Sequence, residues 1–160
     1  MGRAGALPYV YDGVSVSILP DLGGNGLPRD VNDAGVIVGS AWQKNGVGCT
    51  NCEPRAVMWK NGNVKILGVL APPNVPYMSS AAYGVNSHEQ VVGRSTTDSL
   101  GHDHGFIWDV VRGIRDLNDL VPAGWTIQWA TGINDAGQIV AIGSFGTGGQ
   151  TLALRLDPVP

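Results

Sequence analysis

The chain has 160 residues, of which 43% are hydrophobic and 14% are charged, and its net charge is −3. This length supports one domain with a hydrophobic core, and this composition excludes a disordered chain. A negative net charge without a dense Lys/Arg surface argues against nucleic acid as a partner, and no apolar run approaches the roughly 18–20 residues of a membrane span. The 24 glycines and ten prolines indicate many turns and little helix.

The first part of the chain predicts a series of short strands joined by tight turns. Residues 8–11 and 15–19 alternate as two strands around the turn Asp12-Gly13. Residues 27–70 then predict four strands, with a hairpin turn at Asp33-Ala34-Gly35 and a second one at Asn61-Gly62. These segments are called the half-unit (8–22) and unit 1 (27–70), because residues 8–22 align with the second half of unit 1.

The same order of strands and turns recurs along the rest of the chain. Unit 2 (79–121) has four predicted strands, and unit 3 (125–157) has about three. Asn32, Asn86 and Asn134 introduce the three equivalent turns, so the pattern repeats about every 50 residues. Four strands per repeat of this length predict an all-β fold of antiparallel, four-stranded, propeller-like blades, about three per chain, in one repeat domain covering residues 1–160.

Two sequence patterns within these units are specific enough to compare with a known repeat. Residues 132–140 read Gly-Ile-Asn-Asp-Ala-Gly-Gln-Ile-Val, and His104-Gly105-Phe106-Ile107-Trp108 is followed by Asp116-Leu117. Together they resemble the HAF repeat of predicted bacterial extracellular repeat proteins, with Gly105 in place of an alanine. Unit 1 has Arg55 where the pattern has histidine, and unit 3 has Leu156 where the pattern has tryptophan. The resemblance implies a propeller-like fold and an extracellular or periplasmic location, and it implies no activity.

Three units leave the ends of the repeat array open, because propellers usually close with four to eight blades. Unpaired strand edges at such ends invite pairing with another chain. The chain is therefore a fragment of a longer array, a homo-dimer that closes a six-bladed ring, or a barrel or prism that is not a propeller. The half-unit favours the homo-dimer, whereas residues 151–156 count against it because they already fill the third-strand position of unit 3.

Cys49 and Cys52 have the spacing of half a zinc site. His102 and His104 lie in the equivalent loop of unit 2, so the four side chains would surround one zinc ion if neighbouring loops converge. A Cys49–Cys52 disulfide is the preferred alternative, and free thiols remain a third. Zinc is the only cofactor that the sequence suggests.

The tryptophans divide into two groups by their place in the repeat. Trp59, Trp108 and Tyr11 share one repeat position, which predicts a core role. Trp42, Trp125 and Trp129 lie outside that position and are candidate ligand-binding residues, since an exposed indole stacks on the apolar face of a sugar.

The sequence contains no nucleophile motif and no phosphate-binding glycine loop, and no catalytic residue is predicted. The leading interpretation is a non-enzymatic binding or scaffolding module whose ligand is a carbohydrate or a protein. The alternative is a metal-dependent or hydrolytic enzyme with its site where the loops of the units meet. A purely structural segment of a larger surface array is a third possibility.

Overall fold

The computed structural model describes residues 7–43, 53–75 and 78–159. These residues form thirteen strands and one short 3-10 turn, Leu117–Asp119. The strands are β1 (Tyr9–Tyr11), β2 (Val16–Ile18), β3 (Gly23–Val31), β4 (Ile37–Gln43), β5 (Arg55–Lys60), β6 (Asn63–Gly68), β7 (Ser80–Val85), β8 (Val91–Thr96), β9 (Asp103–Asp109), β10 (Gly113–Asp116), β11 (Trp125–Ile133), β12 (Ile139–Phe145) and β13 (Leu152–Leu156). In the described part of the chain, no helix has the length and apolar character needed to cross a membrane.

The strands form four antiparallel sheets, each built from strands that follow one another in the chain. Their orders are β1-β2, β3-β4-β5-β6, β7-β8-β9-β10 and β11-β12-β13. The prediction of an all-β fold is therefore confirmed. Each sheet overlaps one of the four segments named above, so the half-unit contains two strands, units 1 and 2 contain four each, and unit 3 contains three.

The repeated turns have the conformation that their sequences predict. Asn32 closes the first turn, because its Oδ1 accepts hydrogen bonds from the main-chain N–H of Ala34 and Val36. Gly35 ends this turn with a φ of +73°, in the left-handed region that glycine adopts without steric cost. The equivalent residue of unit 2 is Glu89, with a φ of +59°. This unit therefore makes the same turn with a residue whose side chain makes the left-handed conformation unfavourable.

Two hydrophobic cores lie between consecutive units. Between units 1 and 2 the buried members are Val36, Val38, Ala56, Met58, Leu67, Ala82, Val85, Val91, Phe106 and Trp108. Between units 2 and 3 they are Val92, Ile107, Leu117, Ile127, Ala130, Ile139 and Ala141. The adjacent residues Val91 and Val92 enter different cores because successive side chains of a strand point to opposite faces of its sheet. Unit 2 is thus covered on both faces.

The first strand of each following unit crosses the preceding sheet. β7 packs against β3, β4 and β5, and β11 packs against β7, β8 and β9. The backbones come close at this crossing, since a Cβ added at Gly84 would lie 2.8 Å from the Cα of Gly132. A side chain at Gly84 would therefore force units 2 and 3 apart.

The repeated aromatic position is buried in the two complete units. Trp59 is 1% exposed and Trp108 is 4% exposed, as a core role requires. The indole N–H of Trp59 also donates to the main-chain oxygen of Pro20 at 2.7 Å, which fixes the half-unit on the outer face of unit 1. The prediction is wrong for Tyr11, which is 63% exposed. Its strand belongs to the two-stranded sheet, whose outer face no other described sheet covers.

Candidate functional site

A groove with a volume of about 530 Å³ lies where the loop between β8 and β9 meets the start of β11. It therefore joins unit 2 to unit 3. Its lining residues are Thr97, Asp98, Gly101, His102, Asp103, His104, Thr126, Gln128 and Trp129. Most of these side chains are polar, and Trp129 provides the one aromatic surface among them.

Both histidines of the groove are hydrogen-bonded to carboxylates. The Nδ1 atom of His102 lies 2.6 Å from Oδ2 of Asp98, and that of His104 lies 2.6 Å from Oδ2 of Asp116. The hydrogen bond from His102 lowers the pKa of Asp98; burial opposes this effect, and main-chain N–H groups add to the lowering, so the net pKa is below the ordinary value. Asp98 is therefore a carboxylate at neutral pH and can accept hydrogen bonds from a ligand.

Side chains of the neighbouring strand β8 hold Asp103 in place. Its carboxylate forms an ion pair with the guanidinium group of Arg94 and accepts a hydrogen bond from the hydroxyl of Thr96. Arg94 in turn donates to the hydroxyl of Tyr83 at 2.8 Å. Because every member of this chain of contacts is at least partly buried, the carboxylate has a fixed orientation at the groove wall.

The pairing of His104 with Asp116 joins the two ends of the sequence pattern that resembles the HAF repeat. Oδ1 of Asp116 also accepts from the main-chain N–H of Asn118 and so caps the 3-10 turn. Gly105 lies against unit 3, since a Cβ there would lie 2.9 Å from a methyl carbon of Ile127. In unit 1, Arg55 replaces the histidine and donates instead to main-chain oxygens, including that of Met78.

The structure places the three candidate tryptophans in different environments. Trp129 is 42% exposed and lines the groove with His102 and His104. Trp125 packs against Phe145 with ring centroids 5.1 Å apart, and Trp42 is partly buried at the end of β4. Packing of unit 3 on unit 2 thus brings one predicted ligand-binding residue beside the two predicted metal-binding histidines.

The zinc prediction involves residues that lie partly outside the described structure. Cys49 and Cys52 fall between the described ranges, so both their pairing and their approach to the histidines remain predictions. Within residues 7–43, 53–75 and 78–159, no group of three or more His, Cys, Asp or Glu side chains is arranged to hold a metal ion.

Sequence reasoning missed the carboxylate partners of the histidines. Asp98 lies four residues before His102 in a loop. Its Oδ1 accepts hydrogen bonds from the main-chain N–H groups of Leu100 and His102, in a local turn that the sequence Asp-Ser-Leu-Gly suggests. Asp116 had been noted only as part of the repeat pattern. Thr126 and Gln128 carry no local signal, because they enter the groove only through the packing of β11 on unit 2.

A second, smaller cavity of about 390 Å³ adjoins the groove and shares Thr97 with it. Asp116 lines this cavity while its partner His104 lines the groove, so the pair lies at the boundary between the two spaces. Its remaining lining residues are Leu70, Ile114, Arg115, Asp119 and Leu120.

Comparison with known proteins does not identify a function, so the geometry of the groove is the basis for the functional proposal. No protein-family model, curated protein or solved structure matches the chain.

Proposed function

We propose that the units are propeller-like blades of an exported protein of the HAF-repeat type. Three features support this proposal: each unit is a sequential antiparallel sheet, the first strands of units 2 and 3 cross the sheet before them, and the repeat's histidine and aspartate are hydrogen-bonded in unit 2. The extracellular or periplasmic location follows from the resemblance alone. Detection of the protein in a periplasmic or culture-medium fraction of its source tests it.

We further propose that the chain is a non-enzymatic binding module, and that the groove between units 2 and 3 is its ligand site. The main observation behind this proposal is that the partly exposed indole of Trp129 lies among side chains that donate and accept hydrogen bonds. A solvent-exposed aromatic ring beside fixed polar groups is the usual composition of a site for an amphipathic ligand.

A carbohydrate fits this composition better than an apolar ligand. The C–H face of a pyranose ring stacks on an indole, and its hydroxyl groups pair with carboxylates and amides such as those of Asp98, Asp103 and Gln128. The three carboxylate and amide groups lie on two different units, so a ligand several sugar residues long would span the junction. A protein surface is the second ligand class, with Trp129 as its anchor.

Titration of the purified protein with a panel of soluble oligosaccharides, followed by calorimetry and tryptophan fluorescence, tests the proposal. We expect Trp129→Ala to weaken binding about tenfold or more, which corresponds to about 1.4 kcal/mol. Phe145→Ala is the matched control, because Phe145 is 57% exposed but does not line the groove. If no member of the panel binds the unaltered protein, the carbohydrate assignment is wrong and protein ligands remain. If the two variants bind equally, the ligand site lies elsewhere.

A hydrolytic enzyme is the second candidate, and one observation favours it. Each groove histidine is oriented by a carboxylate at its Nδ1 atom, as in histidines that act as general bases. Turnover of glycoside and ester substrates by the unaltered protein, and its loss in both His102→Gln and His104→Gln, would favour the enzyme over the binding module.

A further inference from the structure

The contacts that join the units of this chain stop at the open face of unit 3. Val38 and Val92 occupy one repeat position on β4 and β8, and each is 0% exposed because the following unit covers it. Val140 occupies the same position on β12 and is 51% exposed. The open face of unit 3 therefore has the apolar residue of an inter-unit core without its cover.

Unit 1 presents part of the complementary side of the same interface, because Leu19 and Leu22 of the half-unit cover Val57 and Trp59 but leave the end of β3 exposed. Val85 of unit 2 is 6% exposed because it packs into the core shared with unit 1, and the equivalent Ile133 packs against the next core. Val31 is the corresponding residue of unit 1 and is 59% exposed. At the turns and the adjoining strand ends, one chain thus carries both halves of a contact that it forms twice internally.

The hydrogen bonds between units also stop at unit 3. The side-chain amide of Asn32 donates to the main-chain oxygen of Asn86 at 2.9 Å, and that of Asn86 donates to the main-chain oxygen of Asn134 at 3.1 Å. The amide of Asn134 donates within its own turn to Gln138 and reaches no further unit in the described chain. The main-chain oxygen of Asn32 receives no such amide from a preceding unit among these residues.

A second kind of hydrogen bond between units also indicates that unit 1 can accept a preceding unit. Oδ1 of Asp135 accepts a hydrogen bond from the main-chain N–H of Ser87 in the preceding unit at 2.8 Å. Asp33 is the equivalent carboxylate of unit 1, and it is exposed. It is therefore available to accept from a turn that precedes it, such as the turn at Asp135.

We propose that the open face of unit 3 binds the part of unit 1 that the half-unit leaves exposed, namely Val31 and the turn at Asn32, in a second copy of this chain. Val140 packs against Val31 of that copy, the amide of Asn134 donates to its Asn32 main-chain oxygen, and its Asp33 accepts from the main-chain N–H of Asp135. The contact repeats the turn-to-turn part of the two inter-unit interfaces of the chain, which is why a second copy fits better than an unrelated partner.

The two sides of this contact differ, so it is a head-to-tail contact, and two chains of three units each close it into a ring of six units, within the usual size range of propellers. The interface is confined to the turns and the first two strands of each unit. Arg155 on β13 is exposed and stands at the position where Met58 and Ile107 are buried, so the third strand does not contribute an apolar surface. None of the interface residues named here lines the groove, so the inference is independent of the ligand proposal.

Light scattering on the purified full chain, over a concentration series, tests the inference. We expect a mass of twice 16.7 kDa for the unaltered protein. Val140→Lys and Val31→Glu each place a charge on one side of the contact and should reduce the mass to that of one chain. The double variant V31E/V140K should restore the doubled mass, because each contact then has a Lys–Glu pair. Val111→Lys, at a residue that is 87% exposed in a turn, is the matched control and should leave the mass unchanged.

Asn134→Asp provides a second variant that keeps the Oδ1 acceptor of the turn and removes the amide donor. It should weaken pairing while the circular dichroism stays as before and the thermal midpoint of the single chain falls by no more than about 4 °C. A single-chain mass for the unaltered protein at every concentration overturns the inference, and so does a doubled mass that both charged single variants retain.

Discussion

The side-chain amide of Asn32 donates a hydrogen bond to the main-chain oxygen of Asn86, the residue at the same position of the next unit. Asn86 makes the same bond to Asn134, and each of the three residues also accepts from the main-chain N–H groups of its own turn. One residue type therefore closes the turn and joins it to the next turn. The three turns consequently form a ladder at one end of the sheets.

We expect the middle member of this ladder to matter most for stability. Asn86 is 2% exposed, and Asn86→Asp keeps its Oδ1 acceptor but replaces two N–H donors with a buried carboxylate oxygen that faces other oxygens. The free energy of unfolding should fall by about 2–4 kcal/mol, measured by chemical denaturation at pH 7. Asn134→Asp is the exposed control and should cost less than about 1 kcal/mol in the single chain. Equal losses would show that the bonds between turns contribute little.

A buried hydroxyl joins units 1 and 2 near the other end of the sheets. The Oγ atom of Ser80 accepts from the main-chain N–H of Ala56 at 2.9 Å and donates to the main-chain oxygen of Gly68 at 2.7 Å. The register of β5 and β6 shifts at Ala56, so the hydroxyl replaces ladder bonds that the two strands do not make there. Ser80→Ala leaves both groups without this partner and should destabilise the fold by about 2 kcal/mol in a denaturant titration. Ser144→Ala, on the partly exposed β12, should cost less than about 0.5 kcal/mol.

Glu89 occupies the left-handed position at which the equivalent turns have glycine, and this strain predicts a stabilising substitution. Glu89→Gly should gain about 1 kcal/mol from the backbone. It also removes the ion pair between Lys60 Nζ and Glu89 Oε1, which is 2.5 Å long but exposed and contributes at most about 1 kcal/mol. The gain is therefore best measured by thermal denaturation in a Lys60→Ala background. Gly35→Ala is the reverse test and should destabilise by about 1 kcal/mol; a loss of stability on Glu89→Gly in that background would contradict the argument.

The features that could be predicted from sequence are those that local chemistry determines. Asp33-Ala34-Gly35 specifies its own turn, and alternation on β8 places Val91 and Val92 on opposite faces, so the hairpins and the all-β class followed from short segments. The exposure of Tyr11 could not be predicted in this way, because repeat alignment gives a residue's position within a unit and not whether another sheet covers it.

The composition of the groove could not be predicted from local sequence patterns either. Trp129 was a candidate because it lies outside the repeat position, and His102 and His104 were candidates because of a presumed metal. Their proximity depends on how β11 packs on unit 2, which no local pattern specifies. Asp98 escaped notice because a carboxylate in a polar loop is common, and only its contact with His102 distinguishes it.

The prediction that Cys49 and Cys52 form a disulfide can be tested in solution. We expect Cys49 and Cys52 to form a disulfide, so neither thiol should react with an alkylating reagent until a reductant is added. Mass spectrometry after alkylation with and without the reductant measures this. Reaction of both thiols without reductant would reject the disulfide, and protection from alkylation that a chelator removes would favour zinc.

Asp109 predicts how stability depends on pH. Its side chain is 12% exposed, and burial alone would raise its pKa. The N–H groups of Arg112 and Val111, together with the charges of Arg112 and Arg115, lower it more, so the net effect is a pKa below the ordinary value. A carboxyl whose pKa is lower in the folded state stabilises the fold above its unfolded pKa of about 3.9, and this contribution is lost as the pH falls through the folded pKa.

Asp109→Asn should therefore destabilise the protein at pH 7 by about 1–3 kcal/mol, because the amide keeps the acceptor for the turn but loses both arginine partners. The difference from the unaltered protein should shrink as the pH falls below about 4, where the unaltered carboxyl also becomes neutral. Denaturant titrations of both proteins between about pH 7 and pH 2.5 measure this, with Asp119→Asn as an exposed control that should track the unaltered protein. A difference that stays constant across this range would mean that Asp109 acts through the shape of its turn and not through its charge.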